Sequence, residues 1–288
     1  MDKTVRVLDG DITAFYRSES PVEGDYSARH CHDGYEILYI TEGQSRFIIE
    51  GDEYSMRPGT IVLIPPFTYH YLELEDRTVY SRYVAHFPAS ELPRAVGDIF
   101  ASKLGARQPV LYFPPSCIPQ HAAGIMERIG QAGSLPQDER DAMVHLLIGE
   151  LMLILATAGT SVQPRDNGEL GGRVIRYLND NIDRNISLDE LSKRFFISKY
   201  YLCRAFKRYN GISVHGYINQ KRVMYAKQLI ESGETASGAA YRVGFGDYSA
   251  FYRAYVKLLG CAPTDTATKQ RGAVFTSVKE SDAENERI

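Results

Sequence analysis

The hydrophobic and polar positions change period twice along the chain. Up to about residue 90 they alternate in short runs rich in β-branched and aromatic residues. Examples are Tyr35-Glu36-Ile37-Leu38-Tyr39-Ile40, Arg46 to Glu50 and Thr60 to Ile64. Turn residues punctuate them at Glu42-Gly43, Glu50-Gly51-Asp52 and Arg57-Pro58-Gly59. Short strands at this spacing predict an all-β barrel or sandwich. From about 91 to 160 the period becomes helical, with helices expected over Ile118–Gln131 and Asp138–Thr157. The second half of the latter is apolar around most of its circumference. One face can pack on the barrel, and the rest needs a second cover. A homodimer contact through 138–157 is preferred to a helix enclosed within one chain.

Residues 161–170 lie in a polar stretch holding Gly and Pro, which predicts a linker. Residues 171–270 are helical throughout, and 271–288 form a polar tail without periodicity, expected to be loose. The fold class expected is therefore multidomain, an all-β barrel plus helices followed by an all-α domain.

The all-α part carries an internal repeat. Phe196, Leu202, Arg204, Ala205, Phe206 and Gly211 match Phe245, Phe251, Arg253, Ala254, Tyr255 and Gly260 at a constant offset of 49. In the first copy Ser187 and Glu190 form a capping box, and Ser198 caps a helix from Lys199 to Tyr209. Leu202, Ala205, Phe206 and Tyr209 share its inner side, while Tyr200, Cys203, Arg204 and Lys207 lie opposite. In the second copy Asp247 caps Tyr248–Leu259. Phe251, Ala254, Tyr255 and Leu258 face inward there, and Ser249, Tyr252, Arg253 and Val256 outward. These are two helix-turn-helix units, each presenting an aromatic and cationic face from its second helix. Arg pairs bidentately with guanine, and Lys207 and Arg208 can neutralise phosphates. A helix from Ser213 to Glu231 separates the units by roughly 28 Å at ~1.5 Å per residue. That spacing suits successive major grooves on one face of DNA.

Charge sharpens this division. Residues 1–170 hold 14 basic and 24 acidic side chains, whereas 171–273 hold 17 basic and 8 acidic. The overall charge of −3 conceals an acidic half and a basic half, and only the basic half suits a polyanion. Four scattered cysteines, none in CxxC spacing, fit free thiols in a reducing compartment. No basic start with an apolar stretch behind it marks a signal peptide. The longest apolar run, Leu151 to Ala158, is far below the ~20 residues of a membrane span. A cytoplasmic protein without a membrane partner is expected.

The segment ISLDELSKRFFISKYYLCRAFKRYNGISVHGYINQKRVMYAKQLI, with AAYRVGFGDYSAFYRAYVKLLGCAP, resembles the DNA-binding domain of AraC/XylS-type transcription regulators over about 100 residues. The resemblance implies DNA contacts by Tyr200, Cys203, Arg204, Ser249, Tyr252 and Arg253, and Lys199, Lys207, Arg208 and Tyr248 on the same two helices complete the candidate set. It implies structural roles for Tyr217, Arg222 and Ala226. The second unit departs from the family with Ala236, Gly238 and Ala239 in its supporting helix and Thr266 where Tyr is usual, so its hold on DNA is expected to be weaker.

In the acidic half, Gly24, His30, His32, Glu36 and Gly43 fit the first motif of the cupin barrel. Gly59, Pro65 and His70 resemble the second, with Phe67 in place of a glycine and Leu74 in place of an asparagine. Three roles are open to His30, His32, Glu36 and His70: a small-molecule effector pocket, mutual satisfaction at a barrel mouth, or a divalent metal site. The effector pocket is preferred, because regulators of this family often carry the pattern while sensing sugars or other small molecules. No resident cofactor is expected, a divalent metal being the lesser alternative.

Together these features predict a ligand-responsive, non-enzymatic transcription regulator. Its expected partners are double-stranded DNA, an effector, a second copy of itself and, beyond those, RNA polymerase. The alternative from another class is a metal-dependent cupin enzyme with a helical appendage.

Overall fold

The computed structural model describes residues 5–9, 12–19, 29–32, 34–74, 79–104, 110–158, 165–166, 168–265 and 274–276. Gly24, Thr266, half of the 161–170 linker and most of the tail lie outside the described residues. The chain divides near residue 165 into two compact units.

Among the described residues, the first unit contains ten strands: β1 (Val5–Asp9), β2 (Ile12–Glu19), β3 (His30–His32), β4 (Tyr35–Glu42), β5 (Ser45–Ile49), β6 (Asp52–Met56), β7 (Ile61–Ile64), β8 (His70–Leu74), β9 (Tyr80–Phe87) and β10 (Leu111–Phe113). One sheet runs β1-β2-β9-β4-β7-β10, and a second contains β6-β5-β8-β3 in that order. Strand β10 pairs antiparallel with β7, Leu111 opposite Leu63 and Phe113 opposite Ile61. The sheet therefore extends past the expected boundary at 90. Only three residues long and separated from the other strands by a helix, β10 has too little alternation of its own to be seen in sequence.

The first sheet is buried on both faces, which explains the near-continuous apolar runs of β4 and β7. Tyr35, Ile37, Ile61, Leu63, Ala85 and Phe87 join one core with the helices. Leu38, Ile40, Val62, Ile64 and Val84 join a second core with Phe47, Ile49, Tyr54, Met56 and Leu72 of the other sheet. The helices are α1 (Arg94–Leu104), α2 (Ala122–Gln131) and α3 (Gln137–Ala158). Helix α2 starts four residues later than the sequence suggests, because Pro115–Cys117 form a 3-10 turn ahead of it. It lies so close to the sheet that a Cβ on Gly130 would sit 2.4 Å from the Tyr83 ring.

Helix α3 is 22 residues long and, by length and hydropathy alone, apolar enough to cross a membrane. Its Val144, Leu147, Ile148, Leu151, Met152 and Leu155 instead belong to the core shared with the sheet, α1 and α2. Leu146 is 71% exposed and Met143 is exposed beside it, with Leu153 and Ile154 half-buried.

The second unit holds α4 (Leu170–Asp180), α5 (Leu188–Phe195), α6 (Lys199–Asn210), α7 (Val214–Glu231), α8 (Ala236–Arg242) and α9 (Tyr248–Leu259). Helix α4 approaches α6 so tightly that a Cβ on Gly171 would fall 2.2 Å from the Tyr209 ring. Within the expected loose tail, Val274–Thr276 forms a short strand, as its β-branched and aromatic residues favour.

Candidate nucleic-acid interface and ligand site

Among the described residues, five of the six helices begin with the same local device. Ser187, Ser198, Ser213, Thr235 and Asp247 each accept a hydrogen bond from the backbone N–H three residues on, at 3.1, 3.2, 3.1, 3.1 and 2.7 Å. Each satisfies one of the unpaired donors of a helix start. Only half of the expected capping box forms at α5. The Glu190 carboxylate turns away to accept from Tyr177 Oη at 2.5 Å and from Arg184. Gly211 and Gly260 close α6 and α9 in left-handed conformation at φ 77° and 71°.

The inner faces of the two reading helices are equivalent. Leu202 and Phe206 are buried in α6, and Phe251, Tyr255 and Leu259 in α9. Leu259 rather than Leu258 is the last buried position, Leu258 being only half-buried. Outward, Lys199, Tyr200, Arg204, Lys207, Arg208, Tyr248, Ser249, Tyr252 and Arg253 are exposed, and Cys203 is half-buried. Tyr200 is 75% exposed, far beyond what a packing role requires. Lys199 is held by Asp189 at 2.6 Å. Among the described residues, no carboxylate engages Arg204, Lys207, Arg208 or Arg253, which leaves those cations available to a polyanion.

The repeat breaks at one position. Phe196 is 93% exposed, whereas its counterpart Phe245 is buried at 8% and meets Phe251 edge-on at 5.3 Å. In the first turn the left-handed residue is Phe196 itself, at φ 55°. In the second it is Gly244, at φ 93° and one residue earlier in the matched frame. That shift swings Phe245 inward and leaves Phe196 outside.

Helix α7 is a packed strut rather than a surface element. Tyr217, Ile218, Lys221, Arg222, Val223, Met224, Ala226 and Lys227 are all buried. Arg222 donates from Nε to the Ile182 carbonyl at 2.9 Å, from Nη1 to that of Gly244 at 2.8 Å and from Nη2 to that of Arg184 at 2.7 Å. One guanidinium thus joins the loop ahead of the first helix-turn-helix to the turn of the second. Helix α8 buries only Ala239 and Ala240, so the small residues noted in sequence do give the second unit little apolar support.

In the first unit Glu36, Leu38 and Ile40 alternate onto the inner side of β4, and the register places Glu36 opposite His86 of β9. His86 Nε2 lies 3.0 Å from Glu36 Oε1. His70 Nε2 and His32 Nε2 lie 2.8 and 3.6 Å from Oε2. Burial works against the charge on Glu36, but His86 and His70 hold its carboxyl well below the ordinary range. His30 shares the face of β3 with His32, and donor atoms of His30, His32 and His70 also lie within 4.8 Å of one another.

Three imidazoles therefore close on one buried carboxylate, and His86 is the member that sequence motifs missed. Its signal was the position of His86 in the alternation of β9, readable only once β9 pairs with β4. Phe67 takes the left-handed conformation, φ 58°, that the motif glycine would supply. Its N–H donates to the His32 carbonyl at 2.7 Å, tying the turn before β8 to β3. Deeper along β9 stand Tyr80 and Arg82, the guanidinium 4.9 Å from the Tyr80 ring centroid.

An outward cationic pair of helix-turn-helix units and a polar barrel interior define a regulator with separate reading and sensing parts. Comparison with known proteins agrees. Residues 13–141 match the AraC-like ligand binding domain, and residues 191–269 match a helix-turn-helix domain. The chain belongs to the AraC-type transcription regulators.

The chain is 28% identical over 227 residues to the uncharacterized HTH-type transcriptional regulator YbfI of Bacillus subtilis, covering 76% of this chain and 79% of that protein. It is 22% identical over 238 residues to the HTH-type transcriptional activator RhaS of Klebsiella pneumoniae, covering 82% and 86%. Among solved structures, apo ToxT of Vibrio cholerae aligns over 89% of this chain and 97% of its own at 14% identity, with a TM-score of 0.41.

Proposed function

We propose that this regulator reads a bipartite site on double-stranded DNA, α6 and α9 entering successive major grooves. The observation that carries it is the matched pair of capped helices with exposed Arg204 and Arg253, both braced through Arg222. Helix α7 supplies the spacing: 18 residues at ~1.5 Å each span roughly 27 Å, compatible with reading heads one DNA turn apart. The barrel interior around Glu36 is the sensing site, for a sugar or another small metabolite. Binding there shifts the balance between arrangements of the DNA-binding parts. It can do so only if the effector favours one arrangement over another.

A homodimer through α3 covers the exposed Met143 and Leu146 and places two reading units on one operator. Such a protein works in the cytoplasm, where the chromosome is, and regulates RNA polymerase without turning over a substrate of its own.

Selection of bound sequences from a random DNA pool, with and without candidate sugars, tests this function. Two conserved blocks about one turn apart are expected. Inserting ~5 base pairs between them, half a helical turn, should abolish the gain from the second block. A single block, or indifference to the insertion, would refute the bipartite site.

A further inference from the structure

We propose that the barrel binds one divalent transition-metal ion through His32, His70, His86 and Glu36. This deepens the sensing role proposed above and rests on it only for the regulatory consequence.

The first argument is spacing. Donor atoms of His32, Glu36 and His86 lie within 4.8 Å of one another, and His70 Nε2 is 2.8 Å from Glu36. An ion bound at ~2.0–2.1 Å from each donor leaves neighbouring donors roughly 3–3.5 Å apart. The distances from the Glu36 carboxylate to the three Nε2 atoms, 2.8, 3.0 and 3.6 Å, bracket that value.

The second argument is the state of His70. Its Nδ1 lies 2.8 Å from the Thr68 carbonyl oxygen. A carbonyl only accepts, so Nδ1 carries a proton. In neutral imidazole Nε2 then presents a lone pair, aimed at a carboxylate oxygen that is also an acceptor. Two acceptors at hydrogen-bond distance repel unless a proton or a cation stands between them. A backbone carbonyl that accepts from the other ring nitrogen, and so fixes the tautomer, is the usual support of a metal-bound histidine.

Rigidity is the third. The four side chains stand on β3, β4, β8 and β9. Glu36 and His86 are direct cross-strand partners, and the Phe67–His32 backbone bond fixes β3 against the turn before β8. Donors on strands hold their geometry better than donors on loops. Three imidazoles and a carboxylate suit Zn²⁺, Ni²⁺, Fe²⁺ or Co²⁺ rather than Ca²⁺ or Mg²⁺. Cys31, between His30 and His32 on β3, alternates to the other side and is no part of the set.

The test uses the full chain, free of any affinity tag and stripped by chelator, titrated with Co²⁺, Ni²⁺ and Zn²⁺. One ion per chain is expected, with a visible cobalt spectrum. Since even a supporting contact is worth roughly 10–100-fold in affinity, His86→Ala, His86→Gln and Glu36→Gln should each weaken binding ~100-fold or more. His30→Ala should leave it largely intact. Circular dichroism of each variant shows that the fold survives. No stoichiometric binding, which would mean a protonated His70–Glu36 pair alone, overturns the proposal. So does binding lost in His30→Ala but kept in His86→Ala. Operator binding measured on the same samples keeps the two ideas apart. A chain that binds DNA but no ion refutes only the metal site, and a chain that binds the ion but no DNA refutes only the regulator.

Discussion

Arg222 donates from Nη1 to the carbonyl oxygen of Gly244 at 2.8 Å, while its Nε and Nη2 hold the carbonyls of Ile182 and Arg184. The loop ahead of the first helix-turn-helix and the turn of the second are therefore tied through one buried cation. Its family-implied structural role has a specific content, the joining of two turns.

Arg222→Met should destabilise the DNA-binding unit by ~3 kcal/mol or more. Hydrogen bonds from a charged donor are each worth ~1.5–3 kcal/mol, and up to three carbonyls lose that donor. Thermal unfolding reads the loss. Affinity for a two-block operator should fall further than affinity for either block alone, since the relation between the heads is what is damaged.

Gly244→Ala should be as harmful as Gly246→Ala is benign. At Gly244, φ is +93° and an added Cβ would lie 2.6 Å from the Asp183 carbonyl oxygen and 3.0 Å from the Arg222 guanidinium. At Gly246 nothing lies within 4 Å and φ is not positive. A loss of ~1–3 kcal/mol at the first site and under ~1 kcal/mol at the second are the expected results of denaturant titration.

Arg204→Ala and Arg253→Ala should each cost ~1–3 kcal/mol of specific affinity and relax the preference at one base position. Lys207→Ala should instead weaken binding to all sequences and reduce the salt dependence by about one ion. Binding isotherms at several salt concentrations separate the two behaviours. An Arg204→Ala profile unchanged at every base would remove that contact from the assignment.

Leu146→Asp should convert a dimer to a monomer while leaving the fold intact. Leu146 is 71% exposed on a helix whose opposite side is core, so its replacement breaks no intrachain packing. Sedimentation checks the mass, and the unfolding midpoint at low protein concentration checks the fold. A mass unaffected by the change, or a wild-type chain that is already monomeric, would refute the proposed contact through α3.

The two halves of the chain were unequally legible. In the helical unit, Ser187, Ser198 and Asp247 act on backbone three residues away, and Leu202 and Phe206 share a helix side by period alone. Such relations are local, so the order of residues contains them. The exposed state of Phe196 was not visible. It depends on which residue of the turn turns left-handed, a choice settled by how each turn packs.

In the barrel, the motif gave Glu36 together with His30, His32 and His70. It gave neither the partner strand of β4 nor the register, and so missed His86, 50 residues away. Phe67 looked like a broken motif, yet its backbone keeps the left-handed turn that holds His32 to the next strand.

What the order of residues determined by itself was the periodicity of each element, the caps that start the helices and the separation of acidic from basic halves. These follow from interactions spanning a few positions or from summed charge. Only the tertiary structure decided that His86 faces Glu36 and that Arg222 bridges two turns. It also decided that Leu146 remains outside while Leu147 is enclosed. Each depends on segments brought together by packing, where distance in space has no fixed relation to distance along the chain.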